Sequence, residues 1–440
     1  MSFRKDFVWG AATASYQIEG AWNEDGKSLS IWDEFTHRGG KIEDQSTGDI
    51  ACDHYHRYKE DVKLMAELGL KAYRFSIAWT RVLPDGTGKV NKKGLNFYSK
   101  LVDELLKYNI TPYVTLYHWD LPYCLHLKGG WRNPESPLWF EEYTKAVVEC
   151  FGDRVKHYIT FNEPSVFMGC GSALGENAPG DKLGTSDLLH MGHNIHLAHG
   201  RAVKVVRSLA PDAKVGITLA SLPAIPFTKK NEAAAYESHF SITREYFFWS
   251  DAYWADPIVL GHYPEKLLEE TKDIFPAFTK EDMKLISQKI DFIGINIYQG
   301  HYVGDYKRLP GTPHTENGWD VFDTALEWGV KHFTKRYKLP IYITENGLSC
   351  HDWESLDGKV HDPNRIDFLH RYLRGLKAAA ESGCDVRGYF QWSFMDNFEW
   401  AKGYNPRFGM VFCDYNTQKR IPKDSAYWYK EVIESNGENL

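Results

Sequence analysis

Eight short apolar runs, rich in β-branched and aromatic residues, alternate along this chain with amphipathic helical segments, and no other feature restricts the possible folds so tightly. The runs cover residues 7–13, 72–79, 112–117, 155–161, 214–220, 291–297, 341–344 and 386–392. Continuous apolar character over so few residues predicts strands buried on both faces. Helical spacing fills the gaps: 58–68, with Asp53 as N-cap and Gly69 as stop, then 95–108, 139–151, 188–209, 233–249, 321–337 and 365–382. Strand followed by helix, over and over, predicts the α/β class and a closed (β/α)8 TIM barrel, one domain spanning residues 1–440. An open doubly wound sheet is the alternative, but no G-x-G-x-x-G follows any strand. Long segments after strands, 169–186, 300–319 and 393–414, are expected to build the functional face.

What that face handles is narrowed by charge. A net charge of -7 and a pI near 6.2 argue against a nucleic-acid surface. Fifteen tryptophans and 26 tyrosines serve a large core or platforms that stack on sugar rings. The seven cysteines are odd in number and contain no C-x-x-C pair, so they predict neither a disulfide framework nor a zinc site, only buried apolar residues. The opening Met1-Ser-Phe-Arg-Lys-Asp-Phe-Val lacks the apolar segment of a signal peptide and no stretch reaches membrane-spanning length, which predicts a cytoplasmic protein.

The strand ends carry Gln17, Arg74, His118, Asn162, Glu163, Asn296, Tyr298, Glu345 and Trp392. Ile341-Tyr-Ile-Thr-Glu-Asn-Gly347 is the clearest case: a buried strand delivers the carboxylate of Glu345, and a glycine turns the backbone away. Thr160-Phe-Asn-Glu-Pro164 delivers Glu163 in the same manner. Either carboxylate alone reads equally as a strand-end cap. Two facing carboxylates among amides, an imidazole and indoles suit a neutral, hydroxyl-rich ring and match glycoside hydrolysis. Arg74, inside a buried strand, needs an anion, whether in a structural ion pair or at Glu345. His118, Trp392 and Trp400 read otherwise as core residues. His190, His193, His196 and His199 recur every third residue. On a helix they fan around the axis, so no metal site is expected from them.

In these motifs the chain resembles the family 1 glycoside hydrolases, whose familiar members are β-glucosidases and β-galactosidases. The resemblance runs from Phe7-Val-Trp-Gly-Ala-Ala-Thr-Ala-Ser-Tyr-Gln-Ile-Glu-Gly20, through Arg74-Phe-Ser-Ile-Ala-Trp79 and Tyr117-His-Trp-Asp-Leu-Pro122, to Trp392-Ser-Phe-Met-Asp-Asn-Phe-Glu-Trp400. It implies Glu163 as general acid/base and Glu345 as nucleophile of a retaining double displacement, supported by Arg74 and Tyr298. It implies that Gln17, His118, Asn162, Glu399 and Trp400 hold sugar hydroxyls, that Trp392 is the stacking floor, and that Trp319 walls the leaving group. Trp119, Asn296, Tyr298 and Phe408 join the same substrate-binding set. Glu399 and Trp400 stand where the phosphorylated-sugar branch carries a phosphate clamp, and Glu163 where the thioglucosidase branch carries glutamine. Ser165 and Asn177 depart from a common bacterial pattern of tryptophan and histidine at the entrance. The expected activity is hydrolysis of terminal β-glucosyl residues, with galactosyl or fucosyl residues as further candidates, from small unphosphorylated glycosides. A transglycosylase or an inactive sugar-binding barrel is the alternative. No cofactor, metal, nucleic acid or membrane is expected, and the sequence leaves oligomeric state open.

Overall fold

A computed structural model describes residues 3–440. Eight parallel strands close into a barrel: β1 (Val8–Ala12), β2 (Ala72–Ser76), β3 (Thr111–Tyr117), β4 (His157–Asn162), β5 (Lys214–Ala220), β6 (Phe292–Asn296), β7 (Ile341–Asn346) and β8 (Val386–Trp392). Each pairs with its neighbours in sequence, and β8 closes on β1 with Ala12 opposite Trp392. The predicted (β/α)8 class is the observed one.

Two apolar clusters follow from closure. Residues pointing outward pack under the helices in one large cluster, while Ala12, Ala72, Tyr113, Ile159, Phe292, Tyr342, Phe390 and Trp392 fill the barrel from within. The helix Lys92–Lys107 shows how the outer layer forms. Asn91 accepts a hydrogen bond from the Lys93 amide at its start, and Phe97, Tyr98, Leu101, Val102 and Leu105 make its buried stripe.

Departures from the sequence reading have physical causes. Asp53 precedes the helix His54–Glu67 without capping it, because its carboxylate is taken by the side chains of His56 and Arg57. The helical stretch expected over 233–249 is broken into Glu232–His239 and a 3-10 turn, Phe247–Trp249. The 393–414 segment contains the short strand Val411–Cys413, which pairs with Arg420–Pro422; a final helix, Asp424–Glu434, follows, and its Tyr429 hydroxyl donates to the Gly10 carbonyl of β1. Only Cys52 and Cys413 are buried outright; the other five cysteines are partly exposed. Among the described residues no helix is long and apolar enough to cross a membrane.

Candidate active site

Glu163 and Glu345 stand buried at the C-terminal ends of β4 and β7. Both strands are irregular at that point. On β7, Ile343 lies opposite Ile295 and Glu345 opposite Asn296, so Thr344 is surplus against β6, and the same one-residue excess appears against β8. On β4, Ile159 lies opposite Gly216 and Asn162 opposite Thr218, again one residue too many. A bulge breaks the two-residue alternation of a strand. Consecutive residues Thr344 and Glu345, and likewise Asn162 and Glu163, therefore all bond within the barrel mouth. Glu163 itself has φ 48°, a left-handed state that costs a non-glycine residue about 1–2 kcal/mol. Trp119 and Trp400 also have positive φ. Such strain concentrates where geometry serves a site.

Arg74, on β2, uses its whole guanidinium here. Nη1 donates to Glu345 Oε1 at 2.6 Å and to the Thr344 carbonyl at 3.0 Å, Nη2 to Asn162 Oδ1 at 2.6 Å, and Nε to Thr115 Oγ1 at 3.1 Å. The Tyr298 hydroxyl donates to Glu345 Oε2 at 2.7 Å, so each oxygen of that carboxylate has its own donor. Asn296 Nδ2 donates to Glu163 Oε1 at 2.8 Å and to Asn162 Oδ1 at 3.1 Å.

Electrostatics separate the two carboxyls. Burial pushes both up. Glu345 is pulled back by the Arg74 charge and by bonds from Tyr298 and Arg74. Glu163 is pushed further by the negative charge of Glu345 and reaches about 8. Glu345 therefore ionises first, and Glu163 keeps its proton near neutrality.

Around the pair, several buried polar atoms have no protein partner among the described residues. Gln17 sits on the short helix Ser15–Ile18, one turn beyond β1 and not on the strand end itself. Its Nε2 donates to Asn397 Oδ1 at 2.9 Å and to the Phe398 carbonyl at 2.8 Å, which leaves Oε1 as a bare acceptor. His118 Nε2 receives the Asn162 Nδ2 hydrogen at 3.0 Å, and burial and Arg74 hold the ring neutral. Its proton then sits on the unpartnered Nδ1. Glu399 Oε2 is also unpartnered, and burial with the charge of Glu345 raises its carboxyl to about 8. Trp392 lies nearly parallel to His118, rings 5.9 Å apart, and Trp400 stands at the same distance on that imidazole. Trp119 gives its indole N–H to the Asn162 carbonyl at 2.9 Å and packs on Trp400. Trp319 and Phe408 pack around Tyr298, with ring centroids 5.3 and 5.9 Å away. The candidate catalytic and substrate-binding residues named from the sequence thus gather at one mouth.

The four regularly spaced histidines do not converge. His190 bonds the Ser186 carbonyl, His193 and His196 share the Tyr263 hydroxyl, and His199 bonds the Thr160 hydroxyl. A cleft of about 740 Å³ between the loops after β6 and β7 is lined by Glu316, Asp323, His351 and Trp353 among others, and by neither carboxylate. Sequence reasoning missed Thr344 and Thr218 as site residues, although Thr344 lies inside the Ile-Thr-Glu-Asn-Gly motif. A threonine in an apolar strand gives no signal beyond its hydroxyl.

Known proteins resemble this chain along nearly its whole length. The family model described as Glycosyl hydrolase family 1 matches residues 1–310 and 305–438. Beta-glucosidase A of Thermotoga maritima is 46% identical, over 99% of this chain and 98% of its own. A 1,4-beta-D-glucan glucohydrolase of Thermotoga neapolitana is 45% identical, over 99% of both. The structure of the Thermotoga maritima beta-glucosidase in complex with deoxynojirimycin superposes with a TM-score of 0.92 at 45% identity, over 99% of each chain.

Proposed function

Because the chain belongs to glycosyl hydrolase family 1, we propose that it is a β-glucosidase that cleaves terminal β-glucosides with retention of anomeric configuration, Glu345 as nucleophile and Glu163 as general acid/base. One observation carries the reading: both buried carboxyls belong to a single hydrogen-bonded network, in which Arg74 binds Glu345 and Asn162, and Asn296 binds Asn162 and Glu163. A retaining pair stands about 5 Å apart, whereas inverting enzymes need roughly 6.5–9.5 Å for an intervening water.

The chemistry follows from the charge states. Glu345, ionised and oriented by Arg74 and Tyr298, attacks the anomeric carbon as Glu163 passes its proton to the leaving oxygen. Esterification removes the Glu345 charge that raised Glu163. Glu163, now more acidic and ionised, takes a proton from water, whose oxygen attacks the same carbon and releases Glu345.

The bare atoms supply the recognition. His118 Nδ1–H offers a donor, Gln17 Oε1 an acceptor, and Glu399 a group that serves as either, while the Trp392 face suits the C–H side of a pyranose. With its carboxyl raised to about 8, Glu399 stands largely protonated near neutrality in the free enzyme. Selectivity for unphosphorylated sugars then rests on the lack of any positive charge among Gln17, neutral His118, Asn162 and Glu399. Gln17 and Glu399 can serve either epimer at the 4-position, so galactosides and fucosides are secondary substrates in this proposal.

The anomer formed first from 4-nitrophenyl β-glucoside, read by proton NMR, tests the mechanism. β-Glucose should appear first and mutarotate; α-glucose first would remove the retaining assignment. A panel of aryl glycosides ranked by kcat/KM should place the glucoside on top and the 6-phosphoglucoside at the bottom.

A pH profile follows as well. In the free enzyme Glu163 must hold its proton and Glu345 must not. kcat/KM should fall as pH rises through about 8, and it should fall on the acid side above the ordinary carboxylate range, because burial raises Glu345. In Glu163→Gln, assayed with a dinitrophenyl glucoside that needs no protonation, the alkaline fall should vanish.

A further inference from the structure

We propose that Thr344 is a positioning residue: its hydroxyl, backed by that of Thr218, fixes the Asn296 amide so that its nitrogen faces Glu163. The inference rests on the assignment of Glu163 and Glu345 above, and it concerns how the donor to the acid/base is aimed.

An asparagine amide has two faces that differ in hydrogen bonding but hardly in shape, so neighbours must choose between them. Asn296 Nδ2 faces two acceptors, Glu163 Oε1 and Asn162 Oδ1. Rotating the amide by half a turn would set its oxygen against both, at the cost of two bonds and with oxygen facing oxygen. Substrate exchange and the changing charge of Glu345 perturb that side in every turnover, so it cannot by itself hold the orientation. The opposite side can. Thr344 Oγ1 donates to Asn296 Oδ1 at 2.7 Å, and Thr218 Oγ1 donates to Thr344 Oγ1 at 3.2 Å. Because Thr344 accepts from Thr218, its own proton is directed onward to Oδ1, and a chain of hydroxyls in one sense reinforces each link.

The backbone is arranged to permit the chain. The bulge on β7 lets Thr344 face inward while Glu345, the next residue, does so too. Between the two threonines lies Gly294 on β6; a Cβ there would come within 2.4 Å of Thr218 Oγ1 and 2.7 Å of Thr344 Cγ2. Glycine at that position leaves room for the hydroxyls to meet. The relay is buried throughout, with Thr218, Thr344 and Asn296 all at or below 1% exposure, so water does not substitute for a missing hydroxyl.

The test is Thr344→Ala, which removes the donor without placing a methyl against the amide oxygen, with Thr344→Ser as rescue and Thr218→Val as a second break in the chain. The Asn296 bond favours the ionised form of Glu163. Loosening it should move the alkaline limb of the kcat/KM–pH profile upward, by about half to one pH unit, and lower kcat/KM at the optimum on the order of tenfold. Thr344→Ser should return that limb to the wild-type position, and Thr218→Val should shift it in the same direction by less. An alkaline limb of Thr344→Ala that coincides with wild type, whatever its rate or melting temperature, overturns the proposal. So does a serine variant that shifts as far as alanine. A general packing defect would lower the fraction of active enzyme and leave the limbs in place. If wild-type enzyme fails to hydrolyse the aryl glucoside at all, it is the assignment of the site that fails.

Discussion

Glu345→Gly is expected to lower kcat/KM toward nitrophenyl β-glucoside by about 10⁵-fold, or ~7 kcal/mol of transition-state stabilisation. The magnitude follows from what is lost. Without the nucleophile there is no covalent path, and Arg74 and Tyr298 are left aiming two donors at nothing. Fold and substrate affinity should survive, since Gln17, His118, Glu399 and Trp392 are untouched. Glu163→Ala should behave differently. General acid catalysis contributes roughly 10²–10⁴-fold, and only where the leaving group needs a proton. The loss should be large for cellobiose and small for a dinitrophenyl glucoside, whose first step then leaves a slow-to-hydrolyse ester. Azide separates the two roles further. In the Glu345 variant it attacks the face the carboxylate has vacated and yields the α-glucosyl azide. In the Glu163 variant it attacks the Glu345 ester and yields the β-azide. Equal rates for wild type and both variants on cellobiose would dispose of the assignment entirely.

Much of this site was legible before any coordinates because the barrel converts sequence position into spatial position. A strand end in a closed parallel barrel can only be at the rim, so Arg74, Asn162, Glu345 and Trp392 had to meet once eight strands were recognised. Boundaries of β5 and β8 coincide with the apolar runs because all but one or two residues of each run are buried and a serine follows each. What the sequence did not reveal is whatever depends on register. The bulges that turn Thr344 with Glu345, and Asn162 with Glu163, arise from pairing across strands far apart in sequence. Gln17 reads as a strand-end residue until the helical turn of Ser15–Ile18 is seen to present it. Asp53 has the residue type of a cap, but a positive φ and two cationic neighbours claim it instead. The final helix was missed because the segment before it reads as loop, its short strands being only three residues each.

Lys423→Met should be among the most destabilising single changes outside the carboxylate pair. Lys423 Nζ lies 2.6 Å from Asp352 Oδ2 and 2.7 Å from Asp396 Oδ1, with none of its side chain exposed. Arg407 bonds Asp396 at 2.7 Å, Arg365 bonds Asp352 at 2.7 Å and also Asp362, and Asp362 accepts from the Ser425 amide at 2.8 Å. Three cations thus balance three anions beneath the mouth. Burial alone would raise Asp352, yet Lys423 and Arg365 outweigh it and hold that carboxyl below its ordinary value. Its contribution is therefore present above about pH 4 and lost as pH falls through the depressed value. Methionine fills the space of lysine but leaves three carboxylates facing two guanidinium groups, and breaking a buried pair from one side costs about 3–5 kcal/mol. For a chain of 440 residues unfolding as one unit, that is a fall in Tm of about 3–5 °C. The double variant Lys423→Met with Asp396→Asn restores the balance at two and two. It should recover part of the loss, a coupling that calorimetry on the four members of the cycle would measure directly. The network also joins the loop after β7, through Asp352 and Asp362, to the loop after β8, through Asp396 and Arg407. The second of these loops carries Glu399 and Trp400. Lys423→Met should accordingly raise KM for glucosides more than it lowers kcat, because the sugar-holding loop is loosened while Glu163, Glu345 and Asn296 remain fixed to the barrel. If Tm and KM were both unchanged, the six charges would be individually solvated and not a mutually dependent set.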